Sequence, residues 1–265
     1  MKRDVSARIV LNVSEPADLV FAIAVARQYE SVDERFEASV GGEPVPHHEL
    51  SDAHGTRLHR LQAGAGELVV EYQASVDDAA PVPDAGETEL LVYSRPSRYA
   101  ESDSLLPTAA AEFGGITQPS DLLAAVSSWV GTELAYVSGS SLVTDGAVRT
   151  LLARQGVCRD YSHLCIALLR SLGVPARLAA VYAPGLSPMD FHAVAEAWVD
   201  GRWCAVDATT LAPRSTLVRI ATGRDAADTA FLNIVSGRAE LVDISVSAVA
   251  DSLPYDDVTQ LVSIT

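Results

Sequence analysis

Short alternating runs of apolar and polar residues fill the first hundred positions. "RIVLNV", "DLVFAIAVA", "FEASV", "LHRLQA" and "ELVVEYQASV" read as strands, divided by turn signals such as "GGEP" and "AGAGE". "DDAAPVPDAGE" reads as an acidic loop and "YSRPSRYAESD" as a connector. From residue 119 the period lengthens. In "QPSDLLAAVSSWVGTELAYV", Ser120 is a candidate cap, and Leu122, Leu123, Val126, Trp129 and Val130 follow at helical spacing. A short helix is expected through "GAVRTLLAR", stopped by Gly156. Another begins at "GVCRDYSHLC", striped by Tyr161, Leu164, Cys165, Leu168, Leu169 and Leu172, and Gly173 with Pro175 should end it. "ARLAAVY" then reads as a buried strand, and "HAVAEAWV" and "RWCAVD" as a hairpin around Asp200-Gly201. The pattern predicts an α+β chain with a β-rich, sandwich-like N-terminal domain over residues 1–100 and a second domain over residues 101–265.

Composition narrows what such a chain can do. Of its 265 residues nearly half are apolar and a fifth are charged, enough to build a sizeable core. The net charge of −16 argues against nucleic acid as a partner, because phosphate affinity rests on Lys and Arg. No signal peptide and no run long and apolar enough to span a bilayer is read, so no membrane partner is expected. Three cysteines without CxxC spacing fit a reducing, cytoplasmic setting. His47, His48, His54 and His59 lack a ligand pattern around them and are expected as solvent-facing loop residues; neither a metal nor a cofactor is expected.

The hairpin and the Cys158 helix carry the chemistry. An Asp-Gly turn makes Val199 face Arg202, Trp198 face Trp203, Glu196 face Ala205 and Val194 face Asp207. His192 shares a face with Val194, so Asp207 becomes its diagonal neighbour, about 7–8 Å away between backbones. A cysteine at a helix start, a histidine and an orienting aspartate are what thiol catalysis requires. The backbone N–H of Cys158 would be a donor to a developing oxyanion. His163 lies on another helix face, Cys165 sits deeper in the apolar stripe and Cys204 alternates away from Asp207. Glu196 would replace Asp207 if the register differed. Asp160 falls in the first turn, where the helix dipole favours an acid.

"GVCRDYSHLCIALLRSLGVPAR", "DFHAVAEAWVDGRWCAVDAT" and, less specifically, "RPSRYAESD" resemble the transglutaminase-like superfamily, in particular its bacterial members regarded as cysteine proteases. The resemblance covers residues 95–240. It implies a papain-like, transglutaminase-like α+β core with Cys158 as nucleophile, His192 as base and Asp207 as its orienting group. The β-rich front is similar to the N-terminal region of many bacterial members. Animal transglutaminases carry Gln-Cys-Trp where this chain has Val157 and Arg159 around its cysteine, and no EF-hand-like loop appears, so calcium activation is not expected. The expected activity is hydrolysis of an amide or peptide through a thioester, with a peptide or protein as substrate. Transfer of the acyl group to an amine, and a non-catalytic interaction module with the same fold, remain open at this point.

Overall fold

In the computed structural model, which describes residues 1–77 and 85–265, the first strand sets the frame. β1 (Arg3–Phe21) buries Val5, Ala7, Ile9, Leu11 and Val13 and turns Asp4, Arg8 and Asn12 outward, the period-two pattern of a sheet with one covered face. β2 (Ser31–Val40), β3 (Glu43–Pro44), β4 (His47–Ser51), β5 (Arg57–Ala63) and β6 (Gly66–Val76) join it in the order β3-β2-β6-β1-β5-β4. The run "DLVFAIAVA" does not continue as strand beyond Phe21. Residues 22–26 are buried instead, and the N–H groups of Ala22, Val25 and Ala26 donate to Phe231 O, the Tyr72 hydroxyl and Arg219 O. Most of the expected acidic loop at residues 77–87 lies outside the described residues.

The second half alternates helices with short strands: α1 (Glu87–Tyr93), α2 (Ser102–Phe113), α3 (Pro119–Glu133), β7 (Ala135–Tyr136), α4 (Ala147–Ala153), β8 (Gln155–Gly156) and α5 (Cys158–Ser171). β9 (Ala176–Tyr182), β10 (Phe191–Val199), β11 (Arg202–Val206) and β12 (Val218–Gly223) form a second sheet in the order β11-β10-β9-β12, followed by α6 (Ala226–Thr229) and β13 (Leu232–Ala250). Two helix boundaries differ from the sequence reading. α3 starts at Pro119, which needs no N–H there, so Ser120 lies inside the helix rather than capping it. α4 closes on Arg154 in the left-handed region (φ 56°), before Gly156 is reached.

α5 is the axis of this half. It is buried on all sides from Asp160 to Arg170, between α2 and α3 on one hand and the second sheet on the other. Leu164, Cys165 and Leu168 share a core with Leu105, Phe113, Leu122 and Val126 from the helices and with Leu178, Ala195 and Val206 from the strands. Gly173, at φ +79°, ends it as expected, with the Gly173 and Val174 N–H groups returning to Arg170 O and Leu169 O.

The front sheet does not close within residues 1–100. β13 pairs with β1 from Arg3 to Phe21, so among the described residues this curled half-barrel has seven strands and draws the last from near the C-terminus. Their register shifts around Pro16, a residue with no N–H to give the ladder. Gly237 (φ +81°) passes so close there that a Cβ would stand 2.1 Å from Pro16 O. The two sheets also share one core: Tyr182, Val218 and Ile220 pack with Leu19, Phe21 and Tyr72, and the Tyr182 hydroxyl donates to Ile23 O at 2.8 Å.

A buried ion network fastens the second sheet. Arg219 makes two bonds to Glu196, of 2.7 and 2.6 Å, and Arg177 Nε adds a third at 2.9 Å. Arg177 also reaches Glu89 at 2.9 Å and lies 4.0 Å over the Trp203 ring. Burial alone would raise the Glu196 carboxyl, but the two guanidinium groups hold it down at about 2. Because this pKa lies below the ordinary 4.5, the stabilisation is complete above that pH and is lost as pH falls towards 2. Glu196→Gln takes the carboxylate from buried Arg219 and one of the two from Arg177, and is expected to cost about 3–5 kcal/mol in urea unfolding at pH 7. The loss should shrink on acidification towards pH 2; a loss that stays constant across that range contradicts the assignment.

Candidate active site

The nucleophile position is built by the turn before α5. Val157 is extended (φ −117°), and its N–H is taken by Asp160 Oδ2 at 2.9 Å. This carboxylate, fully buried, ties the helix entry down in the manner of a capping box. It packs so tightly against Gly156 that a Cβ there would meet Asp160 Cβ at 2.7 Å, which is why a glycine stands two residues before Cys158. Arg159 turns away to the Ser141 hydroxyl and Leu142 O, both at 2.9 Å, and so anchors the loop leading into α4. Cys158 itself is partly exposed, whereas Cys165 and Cys204 are buried.

The hairpin forms in the register that its Asp-Gly turn dictates: Val199 pairs with Arg202, Trp198 with Trp203 and Glu196 with Ala205. Asp200 (φ 51°) and Gly201 (φ 76°) both occupy the left-handed region that this two-residue turn requires. Across the end of the ladder, His192 Nε2 meets Asp207 Oδ2 at 2.8 Å. The other carboxylate oxygen accepts the Thr209 N–H at 2.9 Å and the Thr209 hydroxyl at 2.7 Å. Both side chains of the pair are almost completely shielded from solvent.

The remaining ring nitrogen, Nδ1, is buried without a hydrogen-bond partner, and the Cys158 thiol is one of the groups that act on the ring. Burial pulls the imidazole towards its neutral form. The Asp207 carboxylate opposes this through charge and hydrogen bond, Cys158 adds to it, and the ring is held at about 10. Asp207 in turn sits below the ordinary carboxylate range, because the His192 cation and Thr209 outweigh its own burial. The structure therefore joins His192 to Asp207, and Cys158 acts electrostatically on the same ring.

The other candidates are placed elsewhere. His163 accepts the Ala226 N–H on Nε2 at 3.1 Å, stacks on Tyr99, and burial pushes it down to about 4. Cys165 is packed in the α5 core and its thiol is pushed up by burial. Glu196 is consumed by the two arginines. The four N-terminal histidines are not all solvent-facing loop residues, as the sequence had suggested. His59 is buried in β5 and stacks on Phe36 at 4.0 Å, and His54 contacts the Tyr93 hydroxyl at 2.7 Å; His47 and His48 lie exposed on β4.

Three polar residues of the site were not singled out from sequence. Thr209 locks Asp207, and its signal is the Asp-x-Thr spacing. The Ser162 hydroxyl stands 2.9 Å from Cys158 O and 2.8 Å from Ala193 O, bridging the first turn of α5 to the residue after His192. Tyr136 reaches the site because β7 runs parallel to β8, placing it opposite Gly156. Burial and the neighbouring Cys158 raise its phenol to about 12. Only an aromatic residue at a strand end marks Tyr136 in the sequence.

The core of the transglutaminase-like superfamily matches residues 107–208. The solved structure of the "putative cysteine protease" of Cytophaga hutchinsonii is 34% identical, covers 98% of this chain and 96% of its own, and superposes with a TM-score of 0.89. An uncharacterized protein of Mycobacterium leprae is 26% identical over 157 residues, 54% of this chain and 55% of that protein. One of Mycobacterium tuberculosis is 34% identical over 152 residues, 49% of this chain and 47% of that protein. The chain thus spans about half the length of these curated relatives. With the similarity to the Cytophaga protein running along nearly its whole length, the chain belongs to the transglutaminase-like superfamily.

Proposed function

We propose that this protein is a cysteine-dependent hydrolase of amide or peptide bonds, working through a thioester with Cys158. The observation that carries the reading is the His192 ring, bound to Asp207 through Nε2 and left without a partner on Nδ1, with Cys158 acting on the same ring. The similarity to the Cytophaga protein supports it. In this reaction the proton given up by Cys158 is already held on His192 Nδ1, and the sulfur adds to the substrate carbonyl carbon. The carbonyl electron pair moves onto oxygen, which the Cys158 N–H can receive at the start of α5. When the intermediate collapses, the C–N bond breaks and His192 gives its proton to the departing amine. Water, deprotonated by His192, then cleaves the thioester and regenerates the thiol. Asp207 holds the imidazole in the tautomer that keeps Nδ1 towards sulfur and stabilises its charged form. The loop anchored by Arg159 exposes Leu142 and Val143, and Met189 lies exposed three residues before His192, which favours a peptide with apolar groups near the scissile bond.

Reactivity gives the first expected outcome. Iodoacetamide at neutral pH should label Cys158 faster than Cys165 or Cys204, because Cys158 alone is partly exposed and has a histidine partner. Peptide mapping of the labelled, folded protein measures this, and equal labelling of the three would contradict the site.

The second outcome concerns substitution. Incubation with a panel of peptide amides, with and without added primary amine, separates hydrolysis from acyl transfer by the mass of the product. On a turned-over amide, Cys158→Ala should abolish thioester formation while leaving the melting temperature near that of the unaltered chain. Asp207→Asn should lower turnover, by less than the ~10⁴ seen for the equivalent change in a serine triad, since a thiol is the more acidic nucleophile. Full activity in Cys158→Ala would refute the assignment. Absence of turnover or acyl-enzyme with every amide and amine would favour a non-catalytic module.

A further inference from the structure

Cys158 and His192 belong to different elements, so their separation depends on what ties α5 to β10. Ser162 stands one helical turn after Cys158 and on the same face of α5. Side chains on a helix lean back towards its N-terminus, which brings the serine hydroxyl under the turn that carries the nucleophile. This hydroxyl lies 2.9 Å from Cys158 O and 2.8 Å from Ala193 O, the carbonyl of the residue after His192. It has one proton for two acceptors at nearly equal distance, so a single oxygen is held between the two elements. Ser162 is buried, and solvent does not compete for these bonds.

The strand needs such a tie at this end. β10 pairs with β9 from Phe191 to Ala197, which secures one of its edges. On the other edge the ladder with β11 begins at Ala195, so His192 and Ala193 lie past its end. There Asp207 binds the His192 ring, and Ser162 binds the backbone beside it. The other polar side chains of α5 serve other neighbours. Arg159 holds the loop before α4, Tyr161 donates to Leu134 O, His163 accepts the Ala226 N–H, and Arg170 donates to Ala176 O on β9.

We infer that Ser162 is a positioning residue: by bonding Ala193 O from the first turns of α5, it sets the spacing of the Cys158 sulfur and the His192 ring and so stabilises their thiolate–imidazolium pair. This role rests on the reading of Cys158 as nucleophile and His192 as its base. Ser162 touches none of the reacting atoms, and no bond forms or breaks at it.

The test follows alkylation of Cys158 by iodoacetamide as a function of pH, read by peptide mapping. Asp207, Asp190 and Tyr136 also act on Cys158 or His192, and all three remain in the variants compared. Ser162→Ala removes the hydroxyl, and Ser162→Thr restores one. In Ser162→Ala the alkylation midpoint is expected to rise by about one pH unit, a tenfold loss of rate below the midpoint. Acetylation by p-nitrophenyl acetate should fall by about 10²-fold, the scale of an ångström of misplacement. Ser162→Thr should bring both back towards the wild-type values. An unshifted midpoint in Ser162→Ala overturns the proposal, whatever happens to its melting temperature, and so does a chain that circular dichroism shows to be unfolded; the bond is then structural alone. Equal shifts in Ser162→Ala and Ser162→Thr overturn it in favour of side-chain volume. A wild-type midpoint that stays the same in His192→Ala would instead refute the Cys158–His192 pair itself.

Discussion

Everything at the site depends on a buried ionic contact, His192 with Asp207, made at the end of a hairpin whose register leaves no freedom. Strand side chains alternate, so a slip of one residue would carry Asp207 to the opposite face. The register is held at one end by Asp200 and Gly201 in left-handed conformations and along its length by the Trp198–Trp203 pair, with ring centroids 5.4 Å apart. Thr209 then closes the remaining valences of the carboxylate. A buried ion pair is a costly element unless its polar atoms are satisfied; here both carboxylate oxygens are, while His192 Nδ1 is left without a partner.

The contact would serve no chemistry if the helix carrying Cys158 could shift. α5 is fixed by burial on all its sides, by the Ser162 bridge to β10 and by the bond from the Ala226 N–H to His163. The second sheet is fixed in turn by the Arg177–Glu196–Arg219 network and by the core it shares with the half-barrel. The β-rich part thus supports the frame from which the site is hung. Its seventh strand, β13, returns from the far end of the sequence to lie along β1.

The site was legible where the signal is local. The Asp-Gly turn fixes pairing over a few residues, and the Gly-x-Cys-x-Asp spacing reflects a glycine crowded by a capping aspartate two residues past the cysteine. What escaped the sequence depends on distant partners. The pairing of β13 with β1 crosses more than two hundred residues, and no local period announces it. Residues 22–26 share the apolar character of the strand before them, yet their backbone bonds go to Phe231, Tyr72 and Arg219. Tyr136 belongs to a two-residue strand paired with β8, too short to leave a periodic trace. His59 looked like a loop histidine until its stacking on Phe36 buried it.

The central claim is that Asp207 holds His192 as a buried cation facing the Cys158 sulfur, and nuclear magnetic resonance of the ring nitrogens tests it most directly. In protein labelled with nitrogen-15 at histidine, the His192 ring is expected to carry protons on both nitrogens through neutral pH and to titrate near 10. A ring that is neutral at pH 8, titrating at or below the ordinary 6.5, would contradict the account.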